Sequence, residues 1–132
     1  MSIANLKSIV SALAATAALA SVNSNAAPAD FPAVGHSYEA AFSGMQFKLE
    51  FDADGKTMRF ARSSEKDFKA AAESVAYTAV AIRPGVFMVY WKERSGNTVT
   101  HIEDFDNSTV YTNITLPDTT FYNLKGSWKR IG

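Results

Sequence analysis

Apolar and aromatic residues recur at every second position over short stretches of this chain, and turn-forming residues interrupt them at intervals of about ten. That is the pattern of consecutive antiparallel strands. Tyr38, Ala40 and Phe42 alternate with Ser37, Glu39 and Ala41; after Ser43-Gly44, Phe47, Leu49 and Phe51 alternate with Gln46, Lys48 and Glu50. Asp54-Gly55 is a hairpin signal, and a two-residue turn there pairs Phe51 with Met58 and Leu49 with Phe60. The three predicted strands agree on one buried side, which a slip of one residue would reverse.

Residues 77–82, 86–91 and 98–102 are rich in β-branched and aromatic side chains, with Arg83-Pro84-Gly85 and Arg94-Ser95-Gly96-Asn97 between them. Leu116-Pro117-Asp118 marks a further turn, and residues 121–131 form a last extended segment in which Gly126 permits a bend. Between Arg62 and Glu73 the alternation lapses, and Glu65 to Ala72 has the propensities of a helical turn or a long loop. Phe68 is expected to point from that segment toward a barrel opening, the alternative being a solvated connector with one anchoring aromatic. Phe31 and Val34, in a lead-in kept irregular by Pro28 and Pro32, are expected to pack against one end of the domain.

A meander of this kind must close or stack to hide its edges. The predicted fold is therefore all-β, a small antiparallel up-and-down barrel of the lipocalin or calycin class with about eight strands.

The N-terminus changes the count. Lys7 precedes about a dozen mostly apolar residues, 9–20, and then Ser24-Asn25-Ala26-Ala27, which reads as a secretory signal cleaved after Ala26. The apolar run is shorter than a bilayer span requires, so stable membrane insertion is not expected. Residues 1–26 are read as signal peptide and 27–132 as one barrel domain, exported to the periplasm or secreted. The remaining 106 residues or so suffice for one core.

Loss of Lys7 leaves twelve basic side chains against thirteen acidic ones. Without a run of like charge, nucleic-acid binding is disfavoured. The chain has no cysteine, which removes disulfides, thiolate metal sites and cysteine nucleophiles, and leaves folding to the core alone. Nine Phe, five Tyr and two Trp supply the material for that core.

Three stretches carry a resemblance: Gly35-His36-Ser37-Tyr38 with residues 47–58, residues 77–93 around Ile82-Arg83-Pro84-Gly85, and residues 99–105 with 110–115. Together they resemble the MoaF-like domains, a family that implies a calycin-type barrel and no defined activity. More distantly, the chain is similar to the phenolic acid decarboxylases, small barrels whose catalysis uses tyrosines, an arginine and a glutamate. Aligned by eye on that pattern, Tyr38 is kept, but Ala40, Ala61 and Val75 fall where the second tyrosine, the arginine and the glutamate are expected. Those departures argue against decarboxylase chemistry.

The candidate chemistry is sparse. If Arg94 pairs with Asn97 across Ser95-Gly96, Tyr90 lies opposite His101 and Met88 opposite Glu103, which collects Tyr90, His101 and Glu103 on one face. Such a group could orient a ligand or run acid/base chemistry; equally, that face could be exterior, with Phe87, Val89, Trp91, Thr100 and Ile102 facing inward. Either way the strands are partly apolar on both sides, which points to a covered outer face and a homodimer. His101, Glu103, Asp104 and Asp106 are close in sequence but alternate between faces, so no metal site and no cofactor is expected.

The primary expectation is a non-catalytic exported barrel that binds a small apolar or aromatic molecule. Its lining would be Phe47, Leu49, Phe51, Met58, Phe60 and Trp91, with Tyr38, Tyr77, Tyr90 and His101 as polar contacts. The alternatives are an enzyme using His101, Glu103 and tyrosine hydroxyls, and a filled barrel that acts as a dimeric interaction domain.

Overall fold

The structure is a computed structural model and describes residues 26–132; the expected leader, up to residue 25, lies outside the described residues. Eight strands follow in order: β1 Ser37–Phe42, β2 Met45–Phe51, β3 Thr57–Arg62, β4 Glu73–Arg83, β5 Val86–Lys92, β6 Thr98–Asp104, β7 Thr109–Thr115 and β8 Phe121–Arg130. Each pairs antiparallel with the next and β8 returns to β1, so the sheet is a closed up-and-down barrel. Closure satisfies every strand edge, which is how a short meander avoids exposed pairing groups.

Alternation decides what faces the axis. Tyr38, Ala40 and Phe42 of β1 are buried, as are Leu49 and Phe51 of β2 and Met58 of β3. The β2–β3 register pairs Phe51 with Met58 and Leu49 with Phe60, as the hairpin signal predicts. A four-residue loop makes this connection: the Asp52 amide donates to the Thr57 carbonyl, and Asp54 accepts from the amides of Lys56 and Thr57.

The β5–β6 hairpin departs from expectation by one residue. The Glu93 amide donates to the Asn97 carbonyl and Gly96 donates back to Glu93, so the loop is the three residues Arg94-Ser95-Gly96, with Gly96 at φ +93°. A left-handed third residue is what a three-residue hairpin loop requires, and glycine meets it without strain. His101 therefore pairs with Val89, Glu103 with Phe87 and Val99 with Trp91. This places His101 and Glu103 on the inner face with Trp91. Tyr90 pairs with Thr100 and points outward, so the expected Tyr90–His101 pairing is corrected, as is the grouping of Thr100 and Ile102 with Phe87, Val89 and Trp91.

The barrel has one filled end. Phe31, from the lead-in, is 3% exposed and packs edge-on against Phe51, Phe87 and Phe105, with ring centroids 5.1–5.7 Å apart, and lies 6.0 Å from Tyr77. Trp128 stacks on Tyr38 at 4.8 Å. Edge-to-face and offset contacts of this kind are the preferred geometries of aromatic quadrupoles. The opposite end carries the β1–β2 turn, the β3–β4 connection and the β5–β6 loop.

At the seam, Gly126 of β8 comes so close to β1 that a Cβ there would lie 2.3 Å from the Ala41 carbonyl oxygen and 2.6 Å from the Phe42 ring. Glycine there permits the close approach of two strands.

A single helical turn, α1 Phe68–Ala71, is capped by Asp67, whose side chain accepts from the Ala70 amide. Phe68 lies under the Lys48 ammonium, 4.5 Å from ring centroid to nitrogen. Lys48 alternates with the inward Phe47 and Leu49, so Phe68 anchors to the outside of the wall and does not reach into the opening. On the outer surface, Val80, Met88, Ile102 and Tyr111 pair in succession across β4–β7 as an apolar row, with Val80 and Tyr111 exposed.

Candidate functional site

The less filled end contains a cavity of about 50 Å³ that opens toward solvent. Phe42, Phe47, Leu49, Phe60, Trp91 and Ile114 form its apolar walls, with Ala40 and Val99, while Glu93, His101 and Thr112 supply its polar groups. Six strands contribute, because inward positions at one barrel end are neighbours in space whatever their separation in sequence.

The floor is polar. His101 Nδ1 lies 3.0 Å from Glu103 Oε2, and the two side chains are 5% and 0% exposed. They stand two residues apart on β6 and therefore share its inner face. Burial pushes the Glu103 carboxyl above its ordinary range, and the hydrogen bond and charge of His101 oppose that rise. In the neutral ring a proton donated from Nδ1 to the carboxylate leaves Nε2 as the free lone pair. The His101 ring is seated edge-on between two indoles, 4.8 Å from Trp91 and 6.0 Å from Trp128.

Thr112 is directly opposite His101 on β7 and is 3% exposed, yet its Oγ1 has no hydrogen-bond partner. Glu103 Oε1, Tyr77 Oη and Trp128 Nε1 are also buried and unpartnered. A barrel interior that leaves four polar atoms unsatisfied carries a cost that an all-apolar core would avoid.

At the rim, Glu93 accepts from Trp91 Nε1 at 3.2 Å and from Asn97 Nδ2 at 3.4 Å. Burial raises its carboxyl pKa, more than these two bonds and His101 lower it. Arg62, which pairs with Phe47, holds its guanidinium 5.5 Å from the Phe47 ring centroid.

The expected lining residues divide between two regions. Phe47, Leu49, Phe60, Trp91 and His101 surround the cavity. Phe51, Met58, Tyr38 and Tyr77 belong to the packed core, where burial raises the pKa of both tyrosines and the charge of Glu103 adds to the rise. Tyr90 is 42% exposed on the outside of the barrel. Glu103 lies beneath the cavity, behind His101.

Phe42, Glu93 and Thr112 were not anticipated as site residues. Thr112 has no signature of its own in the sequence, and only the β6–β7 register brings it to His101. Of the positions compared with the decarboxylases, Ala40 lines the cavity and Val75 is buried, whereas Ala61 pairs with Lys48 on the outer face. The inward position beside it is Arg62. Among the described residues, no group of three or more His, Asp or Glu side chains is placed to hold a metal ion.

Fold and site define a small closed β-barrel with one plugged end and one polar-floored cavity. The chain belongs to the MoaF-like family, whose model matches residues 34–129. It is similar to a crystal structure described as "a putative beta-lactamase from Burkholderia vietnamiensis", at 29% identity and a TM-score of 0.69, covering 76% of this chain and 96% of that one. Among curated proteins, none matches the sequence.

Proposed function

We propose that this MoaF-like barrel is a binding protein for a small molecule with an apolar or aromatic body and one polar head. The head enters the cavity and meets His101 and Thr112; the body rests against Phe42, Phe47, Phe60 and Trp91. The observation that carries this reading is the unpartnered Thr112 Oγ1 directly opposite His101, whose Nδ1 is taken up by Glu103, beneath aromatic walls at the open end. Concave apolar sites with a few convergent polar groups are the usual form of small-molecule sites.

Size limits the ligand. The cavity is about a third of the roughly 150 Å³ that encloses a benzene molecule, so the enclosed part takes a head group and the rest of the ligand lies at the mouth.

The description of the Burkholderia structure points to lactam hydrolysis, which needs an activated nucleophile or a metal-bound water. The hydroxyl beside His101, on Thr112, makes no hydrogen bond to it. Binding is the reading the geometry favours.

Titration with benzyl alcohol, benzylamine and benzoate, followed by native mass spectrometry and tryptophan emission, tests the proposal. At least one of the three binds saturably and shifts the emission, and the shift disappears in Trp91→Phe, which leaves Trp128 intact. Absence of binding by all three, or a shift that survives in Trp91→Phe, would refute it.

A further inference from the structure

The charges around the cavity are asymmetric. Glu93 is a half-buried lining residue, and Glu103 lies fully buried beneath the floor. Neither lysine nor arginine lines the cavity. Arg62, at the rim, is exposed, so its field is screened by water more than those of the two carboxyl groups.

The polar groups presented inward also share a sense. Glu93 offers carboxylate lone pairs beyond the two bonds it already accepts, Thr112 a hydroxyl oxygen, and His101, in the tautomer that donates from Nδ1 to Glu103, the lone pair on Nε2. Each can accept from an N–H donor. Around them stand Phe42, Phe47, Phe60 and Trp91, and aromatic rings attract cations through their quadrupoles. One of these rings already has a cation near it, since the Arg62 guanidinium lies over Phe47.

Resting on the proposal that the cavity binds a small molecule, we infer that the preferred ligand is a small organic ammonium. Its N–H groups are shared among Glu93, Thr112 and His101, and its carbon body lies among the aromatic walls. An anionic head would meet Glu93 and Glu103 with no lining cation to offset them. A neutral head would satisfy Thr112 and His101 but forgo the attraction of Glu93 and the rings.

Three probes of one shape and different charge decide the matter. Benzylamine, benzyl alcohol and benzoate are titrated calorimetrically at neutral pH into the full barrel domain and its Glu93→Gln and Phe60→Leu variants. Glu93→Gln keeps an oxygen acceptor for Trp91 Nε1, and a thermal melt close to that of the parent establishes that each variant is folded.

Benzylamine binds about tenfold tighter than benzyl alcohol, and benzoate binds weakest. Glu93→Gln brings the amine-to-alcohol ratio to within about twofold of unity, and Phe60→Leu lowers it about threefold. Benzyl alcohol or benzoate binding as tightly as benzylamine, or a ratio unchanged in Glu93→Gln, overturns the ammonium inference and leaves the cavity's role as a binding site standing. Failure of all three to bind overturns both.

Discussion

His101 and Glu103 form a buried pair, Nδ1 to Oε2 at 3.0 Å, on adjacent inward positions of one strand in a barrel lined mainly by apolar side chains. The carboxyl of Glu103 is held above its ordinary value of 4.5 because burial disfavours its ionised form more than His101 favours it. The half-buried Glu93 is shifted the same way for the same first cause. A native carboxyl that keeps its proton longer than the unfolded one stabilises the fold fully below pH 4.5, and that contribution is lost as pH rises through the raised native value. Stability measured by urea unfolding therefore falls from pH 4.5 upward, and Glu103→Gln shows a shallower fall. The lowered pKa values of Asp54, Asp104 and Asp118 do not interfere, since their effect lies below pH 3.8.

Thr112 provides a separate test, because its buried hydroxyl lacks a partner. Thr112→Val removes an unsatisfied polar group at nearly constant volume, and the ligand-free barrel gains about 1 kcal/mol in urea unfolding. The same variant binds the probes that occupy the parent protein about tenfold less tightly, since the ligand head loses its acceptor. Stability and binding thus change in opposite directions.

The register of β5 and β6 predicts contrasting costs for neighbours. Trp91→Ala removes a buried indole that touches Phe60 and His101, and costs about 3–5 kcal/mol in chemical denaturation. Tyr90→Ala, on the outer surface, costs less than about 1 kcal/mol. A larger loss in Tyr90→Ala than in Trp91→Ala would mean that β5 turns its other face toward the barrel axis.

That hairpin also marks the limit of what could be read from the chain. The closed barrel was legible because alternation is strong from Tyr38 to Phe60 and because Asp54-Gly55 and Pro84-Gly85 punctuate it. The β2–β3 register followed because the apolar sets on both strands demand it. At Arg94-Ser95-Gly96-Asn97 the loop reads equally as two residues or three, and the difference of one moves His101 and Glu103 from opposite Tyr90 and Met88 to opposite Val89 and Phe87. The apolar run of Phe87, Val89 and Trp91 could have decided it, had the inward face been assigned first and the loop length second. Thr112 and Glu93 are ordinary residues in a strand and at a loop edge, and no local pattern distinguishes them. Their part in the site arises from closure, which brings six strands to one opening.

Phe31 fills the far end of the barrel from outside the sheet. Phe31→Ala leaves a void among Phe51, Tyr77, Phe87 and Phe105 and costs about 3–5 kcal/mol, measured by urea unfolding. The probes still bind at the opposite end of the folded variant, because none of the four aromatic residues packed on Phe31 lines the cavity.

The chain has two histidines, His101 at the cavity floor and His36 just before β1, near the plugged end. Imidazole nitrogen resonances of the ¹⁵N-labelled protein, recorded through a benzylamine titration, examine the proposed site directly. A saturable shift of His101 Nε2 is expected while both nitrogens of His36 stay fixed. A His101 signal that does not move at saturating probe, or one that moves no more than His36, would contradict it.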